Sequence, residues 1–259
     1  MVSAYGFFQS PKRKTNCLRR GIHDVLDYHG TVILDSGGYQ NVRGKRMLYG
    51  ARELAVFARS CGADYVISLD FPPQALMTSY TRLARKNARN FFEMEGLCEN
   101  LIPAIHAPIE LALTELSYIR DRKPDYVAIG GLVPSLRGGM AMSLNTIERL
   151  AGTLSNTRLH LLGFGAPNIG RNIRKLAYSA DFAGWRNAAA VGYLLLPSGY
   201  RKISRRNKRG HACPPNKVET ELMRKLCGRL GLAVSDLERS FQARAWFNAY
   251  VAIKIAHCP

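Results

Sequence analysis

Short apolar segments that alternate with amphipathic stretches are the feature that most restricts how this chain can fold. Eight such segments are predicted to be strands, and they occupy residues 3–8, 31–34, 64–70, 101–106, 125–129, 159–162, 177–180 and 191–196. Apolar residues at helical spacing predict helices at 23–28, 51–60, 80–97, 109–122, 143–154 and 169–176. Because buried strands that alternate with helices are typical of a parallel sheet, the chain is predicted to be an α/β protein.

Eight strands predict a closed (β/α)8 TIM barrel, and the 259 residues of the chain are near the size that such a barrel usually has, roughly 250 residues. A doubly wound open sheet is the alternative, since the strand count carries an error of about one or two. Residues 1–199 are predicted to form the barrel, and residues 200–259 a small C-terminal helical appendage. Helices are predicted there at 218–230 and 236–255, and the second opens on a capping-box pattern at Ser235 to Glu238.

The composition favours a globular protein in a reducing compartment. Hydrophobic residues make up 47% of the chain, which is enough to fill a sizeable core. No apolar run approaches the roughly 18 residues of a membrane span, and the N-terminus lacks the pattern of a signal peptide. The six cysteines are scattered and form no dense disulfide framework, so we expect a reduced, cytoplasmic protein.

A large excess of positive charge is the strongest compositional signal. The chain has 37 Lys and Arg residues against 19 Asp and Glu residues, for a formal net charge of +18. This excess predicts a polyanionic partner, with nucleic acid as the first candidate and a merely soluble basic surface as the alternative. Phosphate contacts are expected from a basic loop at residues 12–20, and from a dense basic run that contains Arg201, Lys202, Arg205, Arg206, Lys208 and Arg209.

Several predicted strands end in residues that can do acid–base chemistry. Asp35, Asp70 and Asp181 follow three of the strands, and His106 ends a fourth. Since the carboxyl ends of barrel strands meet at one mouth, we expect these side chains to converge there. Each residue alone has an ordinary explanation, because Asp often caps a helix and a lone histidine is more often packed than catalytic. Their convergence favours a catalytic site.

Three segments resemble the signature segments of the tRNA-guanine transglycosylase superfamily, and they occur in the same order. They are Asp35-Ser-Gly-Gly-Tyr-Gln40, Ala128-Ile-Gly-Gly-Leu132 and Leu161-Leu-Gly-Phe-Gly165. The first is fairly specific, the other two are useful together, and the resemblance covers about residues 30–200. It implies a TIM-barrel glycosyltransferase that exchanges a guanine in a polynucleotide for a co-substrate, a 7-deazaguanine base.

The resemblance also implies roles for individual residues. Asp181 matches the nucleophile that attacks the sugar C1′, and Asp35 matches the general acid/base. Asp70 matches the acid that reads the N1–H and 2-amino edge of the base, and Tyr39 matches the aromatic ring that stacks on it. The other residues implied at the base are Ser36, Gln40, His106, Gly130, Gly131, Leu132 and Gly163, with His106 in place of the family's usual glutamine.

The chemistry of such an exchange requires these residue types. A carboxylate nucleophile divides the exchange into two displacements with net retention at C1′. A second carboxyl group must handle the proton on the departing nitrogen. A third carboxylate can accept two hydrogen bonds from the donor edge of guanine. Neighbouring carboxylates are expected to have their pKa values pushed apart.

Two departures from the tRNA enzymes bear on cofactor and substrate. Those enzymes hold zinc through three closely spaced cysteines and a later histidine. The candidate ligands here are loosely spaced, so zinc is one alternative and ordinary cysteines are the other: His211, Cys213, Cys227, His257 and Cys258. The segment from Asp181 to Arg186 lacks the arginine-rich continuation of the tRNA enzymes. It resembles the DNA 7-deazaguanine transglycosylases, which include compact viral forms.

DNA is therefore the expected polymer, and a 7-cyano-7-deazaguanine derivative is one expected base. A target guanine in duplex DNA must be flipped out of the stack, and Arg186 is expected to help hold it. A tRNA-guanine transglycosylase is the close alternative. A non-catalytic nucleic-acid-binding partner on the same fold is the third hypothesis, and the presence of both Asp35 and Asp181 argues against it. The oligomeric state stays open.

Overall fold

A computed structural model describes most of the chain, namely residues 1–43, 47–73, 79–132, 140–164, 176–181, 184–203 and 214–257. The chain divides into two compact units. Unit 1 comprises Met1–Gly163 with Leu176–Asp181, and unit 2 comprises Phe164–Lys175 with Phe182–Pro259. No helix among the described residues is both long enough and apolar enough to cross a lipid bilayer.

Unit 1 is built on parallel strands that follow one another in chain order. The first sheet has the order β1-β2-β3-β4 and the second has the order β5-β6-β7-β8, with parallel pairing throughout. These strands are β1 (Val2–Ser3), β2 (Ile33–Asp35), β3 (Tyr65–Ile67), β4 (Leu101–Ile102), β5 (Ala104–His106), β6 (Tyr126–Gly130), β7 (Arg158–Leu161) and β8 (Ser179–Ala180). The predicted α/β class with parallel sheets is confirmed.

Pro103 separates β4 from β5, and the residues before and after it both form hydrogen bonds with Ser68. Ser68 donates its backbone N–H to the Ile102 carbonyl at 2.9 Å, and its hydroxyl oxygen accepts from the Ala104 N–H at 3.0 Å. The two short strands therefore act as one position, which proline interrupts because it has no N–H to donate. Within each sheet the strands follow chain order, which agrees with the predicted barrel. Closure of the barrel stays a prediction.

Helices alternate with these strands as the apolar periodicity predicts. The helices of unit 1 are α1 (Tyr5–Phe8), α2 (Pro11–Arg20), α3 (Ile22–Leu26), α4 (Gly38–Arg43), α5 (Ala51–Cys61), α6 (Tyr80–Met94), α7 (Ile109–Ile119) and α8 (Met140–Thr153). A 3₁₀ turn, Arg120–Arg122, continues α7. The helix predicted at 169–176 lies almost wholly outside the described residues.

Two N-terminal predictions are wrong for identifiable reasons. Residues 3–8 were expected to be a strand, but the carbonyl of Ala4 accepts from the N–H groups of Phe7 and Phe8, which starts α1. Residues 12–20 were expected to be a loop, but they lie in α2. The Ser10 hydroxyl caps this helix by accepting from the Arg13 N–H, and Pro11 occupies its first turn, where a missing N–H does no harm.

Unit 2 contains an antiparallel pair of strands and four helices among its described residues. Strand β9 (Tyr193–Leu196) pairs with β10 (Gly199–Lys202). The helices are α9 (Gly184–Ala190), α10 (Lys217–Leu230), α11 (Val234–Arg239) and α12 (Phe241–His257). The predicted helix 236–255 is two helices, because the Ser240 hydroxyl accepts from the Ala243 N–H and so begins α12. The predicted domain boundary at residue 199 stays a prediction.

Candidate active site

The four predicted acid–base residues all lie at carboxyl ends of unit 1 strands. Asp35 is the last residue of β2, and His106 is the last residue of β5. Asp70 follows β3, and Asp181 directly follows β8. Asp70 touches His106, and the charges of Asp70 and Asp181 both act on Asp35. The structure therefore brings these four residues together.

Asp35 has an unusual acidity for a carboxyl group. Burial, followed by the negative charges of Asp70 and Asp181, raises its pKa from 3.8 to about 7. The Gly37 backbone N–H and the Ser3 side chain oppose this rise in pKa and only partly offset it. A group that titrates near neutral pH can both give and take a proton, which is what a general acid/base must do.

Asp181 is held by the chain around it and remains partly open to solvent. Its Oδ1 accepts the Gly163 N–H at 2.6 Å, and its own N–H donates to the Leu161 carbonyl at 3.0 Å. Gly163 adopts φ 67°, a left-handed conformation that glycine reaches without strain. The Asp181 side chain is 21% exposed, so one face of the carboxylate is oriented by the protein while another stays accessible.

His160 is a buried neighbour of Asp181 that the sequence reasoning missed. Its Nδ1 lies 2.6 Å from the Ser179 hydroxyl, which also bonds to the Tyr126 hydroxyl at 2.5 Å. Its Nε2 lies 3.6 Å from Asp181 Oδ1 and has no hydrogen-bond partner among the described residues. A buried ring nitrogen without a partner is uncommon, and this one faces the candidate nucleophile.

Asp70 is a nearly buried carboxylate whose two oxygens each meet a protein donor. The Ser36 hydroxyl donates to Oδ1, and His106 Nε2 lies 2.9 Å from Oδ2. The Ser36 hydroxyl oxygen also accepts the Gly38 N–H at 3.0 Å, which ties Asp70 to the turn after Asp35. The orientation of the Asp70 carboxylate is therefore fixed from two sides.

Behind His106 lies a second buried acid that sequence reasoning also missed. Glu115 Oε1 lies 3.0 Å from His106 Nδ1, and Oε2 accepts the His106 backbone N–H at 2.6 Å. The Asn87 amide donates to Glu115 Oε1 at 2.7 Å. Burial alone would lower the His106 pKa, but Glu115 and Asp70 outweigh burial and raise this pKa to about 10. His106 is thus a charged imidazolium between two carboxylates.

Glycines of the predicted motifs permit close approaches at this site. A Cβ at Gly38 would stand 2.0 Å from the Asp70 carbonyl oxygen, so no other residue fits there. Gly130 pairs with His106 in the β5–β6 ladder, and a Cβ there would meet the imidazole ring at 2.9 Å. Gly131 has φ 72° and lies against the Ala107 backbone. These glycines let the chain close around Asp70 and His106.

The remaining residues implied at the base differ in exposure. Tyr39 and Gln40 lie on α4, and Tyr39 is 47% exposed, as a ring that receives a ligand would be. Ser36 and Leu132 are fully buried, and the Leu132 carbonyl accepts from the Ser143 hydroxyl at 3.3 Å. Ser36 therefore acts on Asp70 rather than being open to a ligand.

The residues predicted to contact nucleic acid are only partly described. Arg186 is exposed on α9. Arg201 binds Glu219 through two nitrogens, with Nε at 2.9 Å and Nη2 at 2.7 Å, and this pairing holds the pKa of Glu219 down to about 2. Lys202 lies over the Tyr193 ring. Four residues of the basic run lie outside the described residues: Arg205, Arg206, Lys208 and Arg209.

Zinc binding at the predicted ligands stays a prediction. Cys227 is buried in the apolar interior of unit 2, and His257 lies on α12. His211, Cys213 and Cys258 lie outside the described residues. Within the described part of the chain, no three His, Cys, Asp or Glu side chains are grouped to hold a metal.

Comparison with known proteins supports the family resemblance at its coarser level. No protein-family model matches the chain. It is 24% identical over 228 residues to the tRNA-guanine(15) transglycosylase of Thermococcus onnurineus, covering 83% of this chain and 38% of the relative. The enzyme of the same name from Methanosarcina acetivorans is 24% identical over 232 residues, which cover 83% of this chain and 46% of that relative. The enzyme of the same name from Thermoplasma acidophilum is 24% identical over 224 residues, which cover 79% of this chain and 34% of that relative.

These relatives support the tRNA-guanine transglycosylase superfamily, as the sequence motifs predicted. The chain spans less than half the length of each of these three curated relatives. The finer prediction, a DNA-directed enzyme, finds no support in them. The tRNA alternative agrees better with their names.

Proposed function

We propose that the chain is a guanine transglycosylase that replaces a guanine in tRNA by a free base through a covalent glycosyl–enzyme. The observation that carries the proposal is the group of carboxyl side chains at the strand ends of unit 1. Asp35 has a pKa near 7, and Asp181 is oriented by the Gly163 N–H with one face exposed. Relatives named as tRNA-guanine(15) transglycosylases support both the reaction and the polymer.

The first displacement uses the two carboxyl groups in opposite protonation states. Asp181, as a carboxylate, forms a bond to the sugar C1′ while the bond from C1′ to the guanine nitrogen breaks. The electron pair of that bond goes to the departing base, and Asp35 supplies the proton that this base needs. The products are free guanine, an Asp181 glycosyl ester and an ionised Asp35.

The second displacement reverses these roles. The ionised Asp35 removes a proton from the incoming base, whose nitrogen then attacks C1′ and expels the Asp181 carboxylate. Both groups return to their starting states, and two inversions give retention at C1′. A pKa near 7 suits Asp35 to both steps, since it has to be protonated in one and ionised in the other.

Asp70 is the candidate reader of the base. Its carboxylate is fixed by Ser36 and His106, and its remaining lone pairs can accept the N1–H and 2-amino hydrogens of a guanine-type base. Adenine presents no such pair of donors, so this contact selects guanine and its 7-deaza relatives. The family resemblance implies that Tyr39 stacks on the base, and the exposure of its ring agrees with that role.

DNA is a second candidate polymer, and one observation favours it. The segment after Asp181 lacks the arginine-rich continuation implied for the tRNA enzymes and contains Trp185 and Arg186 instead. The mechanism at C1′ is the same for either polymer. The choice rests on which backbone and which flanking nucleotides the protein accepts.

Base exchange tests the function and the polymer together. Labelled guanine would be incubated with the protein and, separately, with bulk tRNA, duplex DNA or single-stranded DNA, and label in each polymer would be counted. We expect label in tRNA that depends on Asp181, with the Asp181→Asn variant as the matched control. Label in DNA alone would replace tRNA by DNA and keep the mechanism. Absence of label in all three polymers would contradict the proposed function.

A further inference from the structure

We propose that His106 does not read the base but is a positioning residue, which sets the specificity of Asp70 by holding its carboxylate in one plane. This inference rests on the proposed function and assigns a new role to a position where the family resemblance implies a base contact. His106, Glu115 and Asn87 together are called the support set below.

The first argument is the exposure of His106 and the use of its polar atoms. The side chain is 0% exposed, and each ring nitrogen already faces a carboxylate, Nε2 towards Asp70 and Nδ1 towards Glu115. Both nitrogens must carry hydrogen to bond carboxylates, so neither has a lone pair or a free donor for a base. A glutamine amide would offer a base both a donor and an acceptor. His106 offers it neither.

The second argument is how firmly the support set is built. Glu115 holds His106 through both the ring Nδ1 and the backbone N–H, and Asn87 braces Glu115 with a bond of 2.7 Å. Asn87 is itself fixed by the Phe71 main chain, from which it accepts an N–H at 2.9 Å. All three members are 4% exposed or less. Buried networks in which each member is bonded are rigid, which is what a positioning device requires.

The third argument is the charge balance. The cationic His106 balances Glu115 within the support set, so the negative charge that remains for the base is that of Asp70. Gly130 leaves no room beside the ring for another side chain, because a Cβ there would meet His106 Cδ2 at 2.9 Å. The ring therefore lies against the Gly130 backbone, and a side chain at position 130 would displace it from Asp70.

The consequence for specificity follows from geometry. A carboxylate fixed in plane can accept two parallel N–H groups at once, whereas one that rotates aligns with a single donor at a time. Loss of the hydrogen bond from His106 should therefore weaken the binding of guanine more than the binding of hypoxanthine. Guanine offers Asp70 two donors, whereas hypoxanthine lacks the 2-amino group. Chemistry at C1′ should be affected much less.

Two isosteric variants separate positioning from structural support. In His106→Gln the amide nitrogen falls near the place of Nε2 and keeps a donor on Asp70. In His106→Asn it falls near the place of Nδ1 and keeps a donor on Glu115 alone. Both variants lose the positive charge beside Glu115, so both lose stability to a similar extent. Each would also be made with Glu115→Gln, which removes the unpaired buried anion and restores folding if the single variants are too unstable.

The measurement is the KM for guanine and for hypoxanthine in the exchange reaction, with kcat at saturating base. We expect the KM for guanine to rise about tenfold to a hundredfold in His106→Asn, and far less in His106→Gln, with kcat changed little in both. Discrimination between the two bases should fall only in His106→Asn. Equal KM values for guanine in the two variants would overturn the positioning role while the parent protein remains active. A parent protein that neither binds nor exchanges guanine would instead overturn the proposed function, and this role with it.

Discussion

Buried polar side chains serve different purposes in the two units. In unit 2, Asn248 is fully buried and bonds only to main chain among its described contacts, accepting the Leu195 N–H at 2.7 Å and donating to the carbonyls of Trp185 and Tyr193. Arg244 likewise donates to the carbonyls of Ala189 and Leu237. These residues connect α9, α11, α12 and β9.

In unit 1 one series of buried polar groups is bonded through side chains and includes two carboxylates. The series Asn87, Glu115, His106, Asp70 and Ser36 runs through side chains and reaches the strand ends. Backbone-bonded groups such as Asn248 satisfy donors and acceptors that the fold would otherwise leave unpaired. Asp70, whose side chain is 10% exposed, is the member of this series that keeps negative charge where a ligand can meet it. We infer that buried groups bonded to the main chain, such as Asn248, stabilise the fold of unit 2. The side-chain series of unit 1 acts on substrate through Asp70.

The largest expected effect is that of Asp181→Asn, which tests the second half of this comparison. The amide keeps the shape and the Gly163 contact but is no nucleophile, so base exchange should fall by about 10⁴-fold or more. Thermal unfolding and polynucleotide binding should change little. Retention of full exchange activity in this variant would remove Asp181 from the role of nucleophile.

Asp35→Asn should produce the next largest loss of activity and a gain in stability. Removal of a general acid/base lowers the rate by roughly 10²- to 10⁴-fold. Because folding raises the pKa of Asp35 to about 7, ionisation of this group opposes folding increasingly between about pH 4 and pH 7. The variant should therefore be more stable than the parent at pH 8, on the order of a few kcal/mol, and similar to it at pH 4.

Urea unfolding of both proteins at pH 4 and pH 8 measures this difference. In the parent, kcat/KM for the polynucleotide should fall above about pH 7, since the first displacement needs protonated Asp35. A stability difference that does not change with pH would contradict the raised pKa.

Asn248→Leu probes the other side of the comparison. The substitution keeps the volume but removes the acceptor of the buried Leu195 N–H and two hydrogen bonds to main-chain carbonyls, which should cost roughly 2–5 kcal/mol of unfolding free energy. Exchange activity per folded molecule should be close to that of the parent. A variant that folds normally but loses activity would show that unit 2 also has a buried group acting on substrate.

His160→Phe should have the smallest effect of the four in free energy, and it tests a finer feature of the site. It removes Nε2, which has no partner among the described residues and lies beside Asp181, together with the Nδ1 contact to Ser179, while preserving an aromatic ring, so we expect kcat to fall about tenfold. Tyr126→Phe is the matched control. It removes the Tyr126 hydroxyl that bonds to Ser179 and leaves the contact between His160 and Asp181 in place. Equal losses in the two variants would mean that His160 acts through packing.

The residues at the strand ends could be predicted because their positions follow from the chain pattern. Apolar runs fix where β2, β3, β5 and β8 stop, and parallel strands of one sheet end on the same side. Asp35 and Asp70 for that reason lie at one edge of the first sheet, and His106 and Asp181 lie at one edge of the second. The charge of Asp181 acts on Asp35, so these two edges come close to each other, as the predicted barrel requires. The prediction of a loop at 12–20 is wrong because it rests on the charges of the segment. Ser10 followed by Pro11 is a typical helix start and was the better indication of α2.

Glu115 and Asn87 could have been suspected but not assigned. Both fall on the apolar stripe of a helix: Asn87 lies among Ala84 and Phe91, and Glu115 lies between Ala112 and Ile119. A polar residue on such a stripe implies a buried partner. Which partner it bonds to depends on how helices pack against strands, and periodicity along one helix does not contain that information.

The most direct test of the account is mass-spectrometric mapping of the covalent intermediate. The protein would be incubated with tRNA while released guanine is removed and no incoming base is added, then denatured and digested. The account predicts a glycosyl ester on the peptide that contains Asp181, absent from Asp181→Asn and discharged by added guanine. An adduct on another residue, or exchange that proceeds without any adduct, would contradict it.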